Sequence, residues 1–167
     1  MSNKILVAYA TWAGATQSVA EFIGKTMQEK GEPVEVLPAK SVKDISGYDA
    51  VILGTAVHAG MLNNDSHNFV QRFAVQLPAK KVAYFVVCLT MSKDTPENCA
   101  QADAYIETLV KLAPEAKLLG RGKFGGVMDA TKLRGLIRLM MSHSPQGDYR
   151  NWDAIKKWTE DLYMKLK

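Results

Sequence analysis

Short apolar runs alternate along this chain with stretches whose apolar residues recur at three and four, and that alternation restricts the fold more than any other feature of the sequence. Residues 4–10 (KILVAYA) are rich in β-formers and lead into a turn at Gly14, which reads as a strand buried on both faces. From 15 to 30, Val19, Phe22, Ile23, Thr26 and Met27 share a helical face, and Gly31 supplies a left-handed stop. Residues 33–38 (PVEVLP) alternate as a second strand, and 49–54 (DAVILG) form a third apolar run about ten residues later. Phe69, Val70, Phe73 and Leu77 mark a helix over 65–77, and 81–88 (KVAYFVVC) form a fourth strand. A stripe through Cys99, Ala102, Ile106, Leu109, Val110 and Ala113 predicts a helix over about 98–112. Residues 117–128 (KLLGRGKFGGVM) make a fifth strand whose glycines suggest a bulge or a close backbone approach.

Strands separated by helices must cross over to run in the same direction, so the pattern implies a parallel sheet covered on both sides: a doubly wound α/β domain. No internal repeat, low-complexity tract or linker interrupts it, and one domain over residues 1–167 is expected. A final helix over 152–165 carries Trp152, Ile155, Trp158 and Leu162 on one face and can cover the fifth strand. Before it lies an unusual segment at about 130–148. Leu133, Leu136, Ile137, Met140 and Met141 follow the helical period over 131–142, while Lys132, Arg134 and Arg138 lie elsewhere on the same helix without a single acid.

Composition narrows the class. With 47% apolar and 23% charged residues the balance is that of a soluble globular protein. No apolar run approaches the roughly 18 to 20 residues of a spanning helix, and the opening MSNKILVAYATWAG lacks the basic region and cleavage site of a signal peptide. A cytoplasmic protein is expected. Cys88 and Cys99 are too few for a disulfide framework and match no metal-ligand spacing, so no metal is expected; both read as small buried hydrophobes, with a redox thiol as the alternative. A net charge of +4 suits anionic partners. The basic residues lack an interleaved aromatic surface, so nucleic acid is not expected among them.

In an open α/β sheet the ligand sits beyond the carboxyl ends of the strands, where the strand order reverses. The first loop there is Thr11, Trp12, Ala13, Gly14, Ala15 and Thr16, a T-x-x-G-x-T pattern between strand and helix. Backbone N–H groups at the helix start, a glycine for the turn and two hydroxyls suit a phosphate, although Thr and Gly at such a turn also serve as plain cap and corner. The loop has no Lys or Arg, unlike a Walker-type nucleotide loop. Residues 54–63 follow the third strand and residues 89–94 follow the fourth, where they can hold a flat ring.

The T-x-x-G-x-T loop after strand one and the G-[ST]-x-x-x-x-G loop after strand three resemble those of the flavodoxin family, and the order of elements matches over nearly the whole chain. The resemblance implies a three-layer sandwich with a five-stranded parallel sheet in the order 2-1-3-4-5, and FMN as cofactor. It implies that Thr11, Trp12, Ala13, Gly14, Ala15 and Thr16 hold the phosphate. Thr55, Ala56, Val57, His58, Ala59 and Gly60, with Leu89, Thr90 and Met91, would flank the ring. Neither ring loop contains Phe, Tyr or Trp, leaving His58, Val57 or Met61 to cover the ring. His58 is a candidate proton donor or flavin O2 partner, or else a solvated loop histidine. Electron-carrier flavodoxins are typically acidic around the flavin; here the loops and their surroundings hold only Lys93, Asp94, Asp65 and Glu97, which implies a flavin less strongly opposed to reduction.

The run DATKLRGLIRLMMSHSPQGDYRNWDAIKKW is similar to the C-terminal part of the menaquinone-dependent protoporphyrinogen dehydrogenases of bacterial haem synthesis. Those enzymes insert a basic, apolar segment between the fifth strand and a last helix that opens as Asn151-Trp152-Asp153 does here. The resemblance implies oxidation of a tetrapyrrole with a quinone as acceptor. Lys132, Arg134 and Arg138 would then contact an anionic membrane or the substrate's propionates, at the inner face of the cell membrane. The alternative is a flavodoxin-type electron carrier docking on an acidic redox partner protein. A receiver-like regulatory domain shares the topology but needs an acidic cluster after strand one and an Asp after strand three, where Ala10, Thr11 and Thr55 stand.

Overall fold

The computed structural model describes residues 4–128, 134–141 and 147–167. Five strands form the parallel sheet: β1 (Ile5–Ala10), β2 (Val34–Pro38), β3 (Ala50–His58), β5 (Lys81–Cys88) and β6 (Leu118–Gly125), in the order β2-β1-β3-β5-β6. β4 (Met61–Leu62) folds back on the end of β3. This is the 2-1-3-4-5 arrangement predicted from the alternation and the resemblance.

The uninterrupted apolar runs are explained by the two faces of the sheet. On one face Leu6, Ala8, Val51, Leu53, Val82, Tyr84 and Val86 pack against α2 (Asn64–Phe73) and α3 (Pro96–Val110) through Phe69, Val70, Phe73, Ala102, Ile106 and Leu109. On the other, Ile5, Val7, Ala50, Ile52, Ala83, Phe85 and Val87 pack against α1 (Ala15–Glu29) and α5 (Trp152–Leu166) through Val19, Ile23, Met27, Ile155, Leu162 and Leu166. Successive strand residues alternate between these cores, so in β1, β3 and β5 neither parity can be polar. Each of the Val, Leu, Ile, Phe and Met side chains among them contributes about 1.5–3 kcal/mol on burial. The edge strands β2 and β6 are only partly buried, which is why their sequences alternate or carry Gly, Arg and Lys.

Some boundaries differ from the sequence reading. The third strand does not stop at Gly54 but runs to His58 and reverses at Ala59-Gly60, whose φ angles of 51° and 77° suit a two-residue hairpin. The fifth strand ends at Gly125. Val127–Met128 (β7) leaves the sheet and pairs antiparallel with Gly147–Asp148 (β8). The expected bulge is present: β6 slips against β5 between Val82 and Ala83. Cys88 is buried, but Cys99 is only half-buried, because it lies one turn before the buried stripe of α3; its thiol donates to Asp94 Oδ1 at 3.1 Å.

The basic segment contains a short helix, α4 (Gly135–Met141). Leu136, Leu139 and Met140 are exposed to 70%, 67% and 68%, so these members of the apolar stripe are not folded into the core, and Arg134 and Arg138 are exposed beside them. Lys132 and Leu133 lie outside the described residues, as do the side chains of Ile137 and Met141. No helix among the described residues is long and apolar enough to cross a membrane.

Candidate functional site

The strand order reverses between β1 and β3, and the loops leaving their carboxyl ends meet there with the loop after β5. Three of the four long helices begin with a side-chain cap: Asn63 for α2, Thr95 for α3 and Asn151 for α5, each with an acid in the first turn. α1 has neither. Its first-turn N–H groups precede the earliest intrahelical bond, from Ser18 N to Gly14 O at 3.0 Å, and so stand free for an anion.

The loop before α1 is shaped for that role. Gly14 sits at φ 96°, a left-handed conformation that any side chain would strain, and its N–H donates to Thr11 Oγ1 at 2.9 Å. Thr16, one turn-position inside the helix, is 1% exposed and its hydroxyl has no partner. A buried hydroxyl left unmade costs about 1–3 kcal/mol unless a ligand completes it. Thr16 lines the cleft, so the orphan group, the uncapped helix and the absence of acids all fit the phosphate of FMN.

Ring-sized space adjoins it. A cleft of about 100 Å³ lies among Thr11, Trp12, Ala13, Ala15, Thr16, Ala56, Val57, His58 and Leu89. It shares Thr11 and Trp12 with a groove of about 380 Å³ that continues over Met61, Leu62, Asn63, Asn64 and Asp65. Together they reach the size of small-molecule sites. The Trp12 indole meets the His58 imidazole edge-on, with ring centroids 5.6 Å apart, and is 55% exposed. An aromatic side chain therefore does line the cleft, contributed by the loop before α1 rather than by the loops after β3 and β5. A larger depression of about 530 Å³ at Lys40, Asp65, Asn68, Gln71 and Arg72 is bordered only by polar side chains and touches none of the strand ends.

The remaining predicted residues are distributed as follows. Thr55 is buried with its hydroxyl 2.7 Å from Ser66 Oγ, tying β3 to the start of α2 rather than facing the cleft. Ala59 and Gly60 form the hairpin turn, and Thr90 and Met91 lie in the short helical turn of residues Leu89–Ser92, with Met91 packed against the α2–α3 core. Arg134 and Arg138 stand on and beside α4 and line neither the cleft nor the groove.

One wall lies outside the three predicted loops. Val87, Cys88, Gly126, Val127 and Met128 close the cleft on the side of β6 and β7. Burial pushes the Cys88 thiol above its ordinary range. The glycine pair Gly125-Gly126 was the only sequence signal for this wall, and it spoke of close backbone approach without saying to what.

The wall is held by an ion pair. Arg150 Nη2 lies 2.6 Å from Asp148 Oδ2, and Nε donates to Asp148 Oδ1 at 2.8 Å; these bonds hold the Asp148 carboxyl down at about 2. Because the folded value lies below the ordinary 3.8, the pair's stabilisation is complete above about pH 4 and is lost as pH falls towards 2. The carboxylate is nearly half exposed, so salt screens part of the effect. In Asp148→Asn, thermal melting should therefore depend less steeply on pH between 4 and 2 than in the parent protein. Parallel curves in that window would show that the pair contributes nothing to stability.

A parallel doubly wound sheet with an uncapped phosphate-type helix start and two ring loops at its switch point defines a flavodoxin-like domain. The family model described as flavodoxin domain matches residues 6–153, and the chain belongs to that family. FMN is the cofactor that its donor set fits. Among solved structures it is similar to oxidised flavodoxin 2 of Bacillus cereus, at 20% identity, with 97% of this chain and 99% of that one covered and a TM-score of 0.67. The flavodoxin of Streptococcus pneumoniae TIGR4 is 16% identical over 97% and 99%, with a TM-score of 0.65. A Fusobacterium nucleatum flavodoxin mutant, bound to flavin mononucleotide, is 16% identical over 99% and 98%, with a TM-score of 0.62. No curated protein matches the chain in sequence.

Proposed function

We propose that this protein is a cytoplasmic FMN-dependent oxidoreductase that works on the inner surface of a membrane, oxidising a porphyrinogen-type tetrapyrrole and passing the electrons to a quinone. The observation that carries this reading is α4, a helix flanked and crossed by Arg134 and Arg138 that turns Leu136, Leu139 and Met140 outward. Apolar side chains beside arginines suit the boundary of an anionic bilayer, where a lipid-soluble quinone resides. The resemblance of residues 129–158 to the menaquinone-dependent protoporphyrinogen dehydrogenases supports the choice of substrate.

FMN, when bound, supplies the centre that accepts and returns electrons. The protein's residues orient and insulate it. The first-turn amides of α1 and the Thr16 hydroxyl take the phosphate, while Ala56, Val57, Leu89 and Val127 exclude water beside the ring. Trp12 offers a face or edge for stacking, and His58 stands at the lip of the cleft as the candidate proton donor. Among the described residues the cleft itself is lined by no acid, and Asp65 lies further along the groove, a balance that favours putting electrons onto the cofactor. The second reading, a carrier docking on an acidic redox partner, is favoured by the fold shared with flavodoxins.

Two measurements separate these readings. Purified protein loaded with FMN should bleach in the visible on anaerobic addition of protoporphyrinogen and recover with a menaquinone analogue; bound flavin that ignores both would leave the carrier reading. In flotation assays the protein should partition onto phosphatidylglycerol vesicles more than onto phosphatidylcholine. Removing both arginines (R134A/R138A) should lower that partition by roughly 30-fold, at about 1 kcal/mol per charge near an anionic surface. Equal flotation of parent and variant would overturn the membrane role.

A further inference from the structure

We propose that Arg150, which lies outside all three cofactor loops, is a positioning residue for the phosphate end of the FMN site. The inference rests on the FMN reading above. Arg150 follows β8, whose partner β7 lines the cleft with Val127. Its guanidinium makes three hydrogen bonds and a ring contact: two bonds go to Asp148, Nη1 donates to Ser18 Oγ at 2.7 Å, and Cζ lies 4.9 Å from the centre of the Trp152 ring. Trp152 packs in turn on Phe22 of α1, with ring centroids 5.0 Å apart.

Ser18 gives this contact its meaning. Its amide makes the first intrahelical bond of α1, to Gly14 O, and its hydroxyl donates to Ala15 O at 2.7 Å. A chain of hydrogen bonds thus runs from Asp148 through Arg150 and Ser18 into the helix turn whose free amides face the anion. The backbone closes the same loop, because Tyr149 N donates to Gly126 O at 2.9 Å and Gly126 lines the same cleft as Ala15 and Thr16. Arg150 therefore sets the separation of two cleft walls that the parallel sheet alone does not connect. It also brings a guanidinium to the outer side of a phosphate loop that has no basic residue of its own. A planar fork that holds a carboxylate with two groups and a hydroxyl with the third is a geometry lysine cannot reproduce.

The test compares FMN with riboflavin, which lacks the phosphate, by quenching of flavin fluorescence. In Arg150→Gln the affinity for FMN should fall about tenfold more than that for riboflavin, the loss of a charge-assisted tether at the phosphate end. Arg150→Lys should recover only part of it, and Ser18→Ala, which cuts only the link to α1, should lower the FMN-to-riboflavin ratio about threefold. A merely structural Arg150 would lower the melting temperature and leave that ratio unchanged, which would overturn the proposal. If Arg150→Gln does not fold, Ser18→Ala decides by the same ratio. A parent protein that retains neither flavin would overturn the cofactor reading itself, a result distinct from failure of this inference.

Discussion

Thr16→Val should make the cofactor-free protein more stable while weakening its hold on FMN. The Thr16 hydroxyl is buried at the start of α1 with no partner, so the folded chain bears a desolvation cost that valine, equally branched and nearly equal in shape, removes. A gain of about 1 kcal/mol corresponds to a rise of roughly 2–4 °C in melting temperature for a chain of this size. Phosphate binding moves the other way, since a hydroxyl donating to a charged oxygen contributes about 1.5–3 kcal/mol, or about ten- to a hundredfold in affinity. Thermal melting without flavin and FMN titration by fluorescence quenching give the two numbers, and Thr16→Ser should restore most of the affinity. A variant that melts lower, or binds FMN as the parent does, would mean that the hydroxyl faces something other than the phosphate.

Gly54→Ala is expected to be the more damaging change, although it adds one methyl group. Gly54 pairs with Phe85 across β3 and β5, and the aromatic ring lies over the glycine. A Cβ there would overlap the ring at Cζ and Cε2 and stand 2.7 Å from Cε1. The ring cannot simply move away, because it is fully buried and meets Phe124 and Trp158 with centroids 6.0 and 6.1 Å distant. Overpacking of this kind costs about 3 kcal/mol, or roughly 6–12 °C in melting temperature. Urea denaturation should show a lower midpoint at unchanged slope, and Phe85→Leu in the Gly54→Ala background should recover part of the loss, since the two positions interact directly. A cost below about 1 kcal/mol would show that the ring has room to yield. Because Ala56, Val57 and His58, which line the cleft, follow Gly54 on the same strand, FMN affinity should fall with stability.

Both variants concern residues whose meaning differs between the sequence and the folded chain. Thr11 and Thr16 are equivalent members of the T-x-x-G-x-T pattern, yet one hydroxyl accepts from Gly14 N within the turn and the other is left for a ligand. Thr55 belongs to the other recognised pattern but is used to fasten β3 to α2. A loop motif specifies backbone shape and donor types, whereas the direction of each side chain depends on which neighbours are already satisfied.

The sequence by itself determined the parallel sheet, its helices and the switch point at which a candidate site is expected. β1, β3 and β5 are apolar at both parities because both faces are buried, and α1 and α5 carry their apolar residues at the helical period, so backbone geometry alone makes them legible. The candidate site followed from topology, since ligands in such sheets bind where the strand order reverses. Only the tertiary structure decided the β3–β4 hairpin, the departure of β7 from the sheet, the Trp12–His58 edge contact and the half-exposed Cys99. It alone brought Arg150 to Ser18, across 132 positions of sequence. Local periodicity reflects the repeat of the backbone, which every residue shares with its neighbours. Contacts between distant residues depend on how whole layers pack, and no short stretch of the chain encodes that.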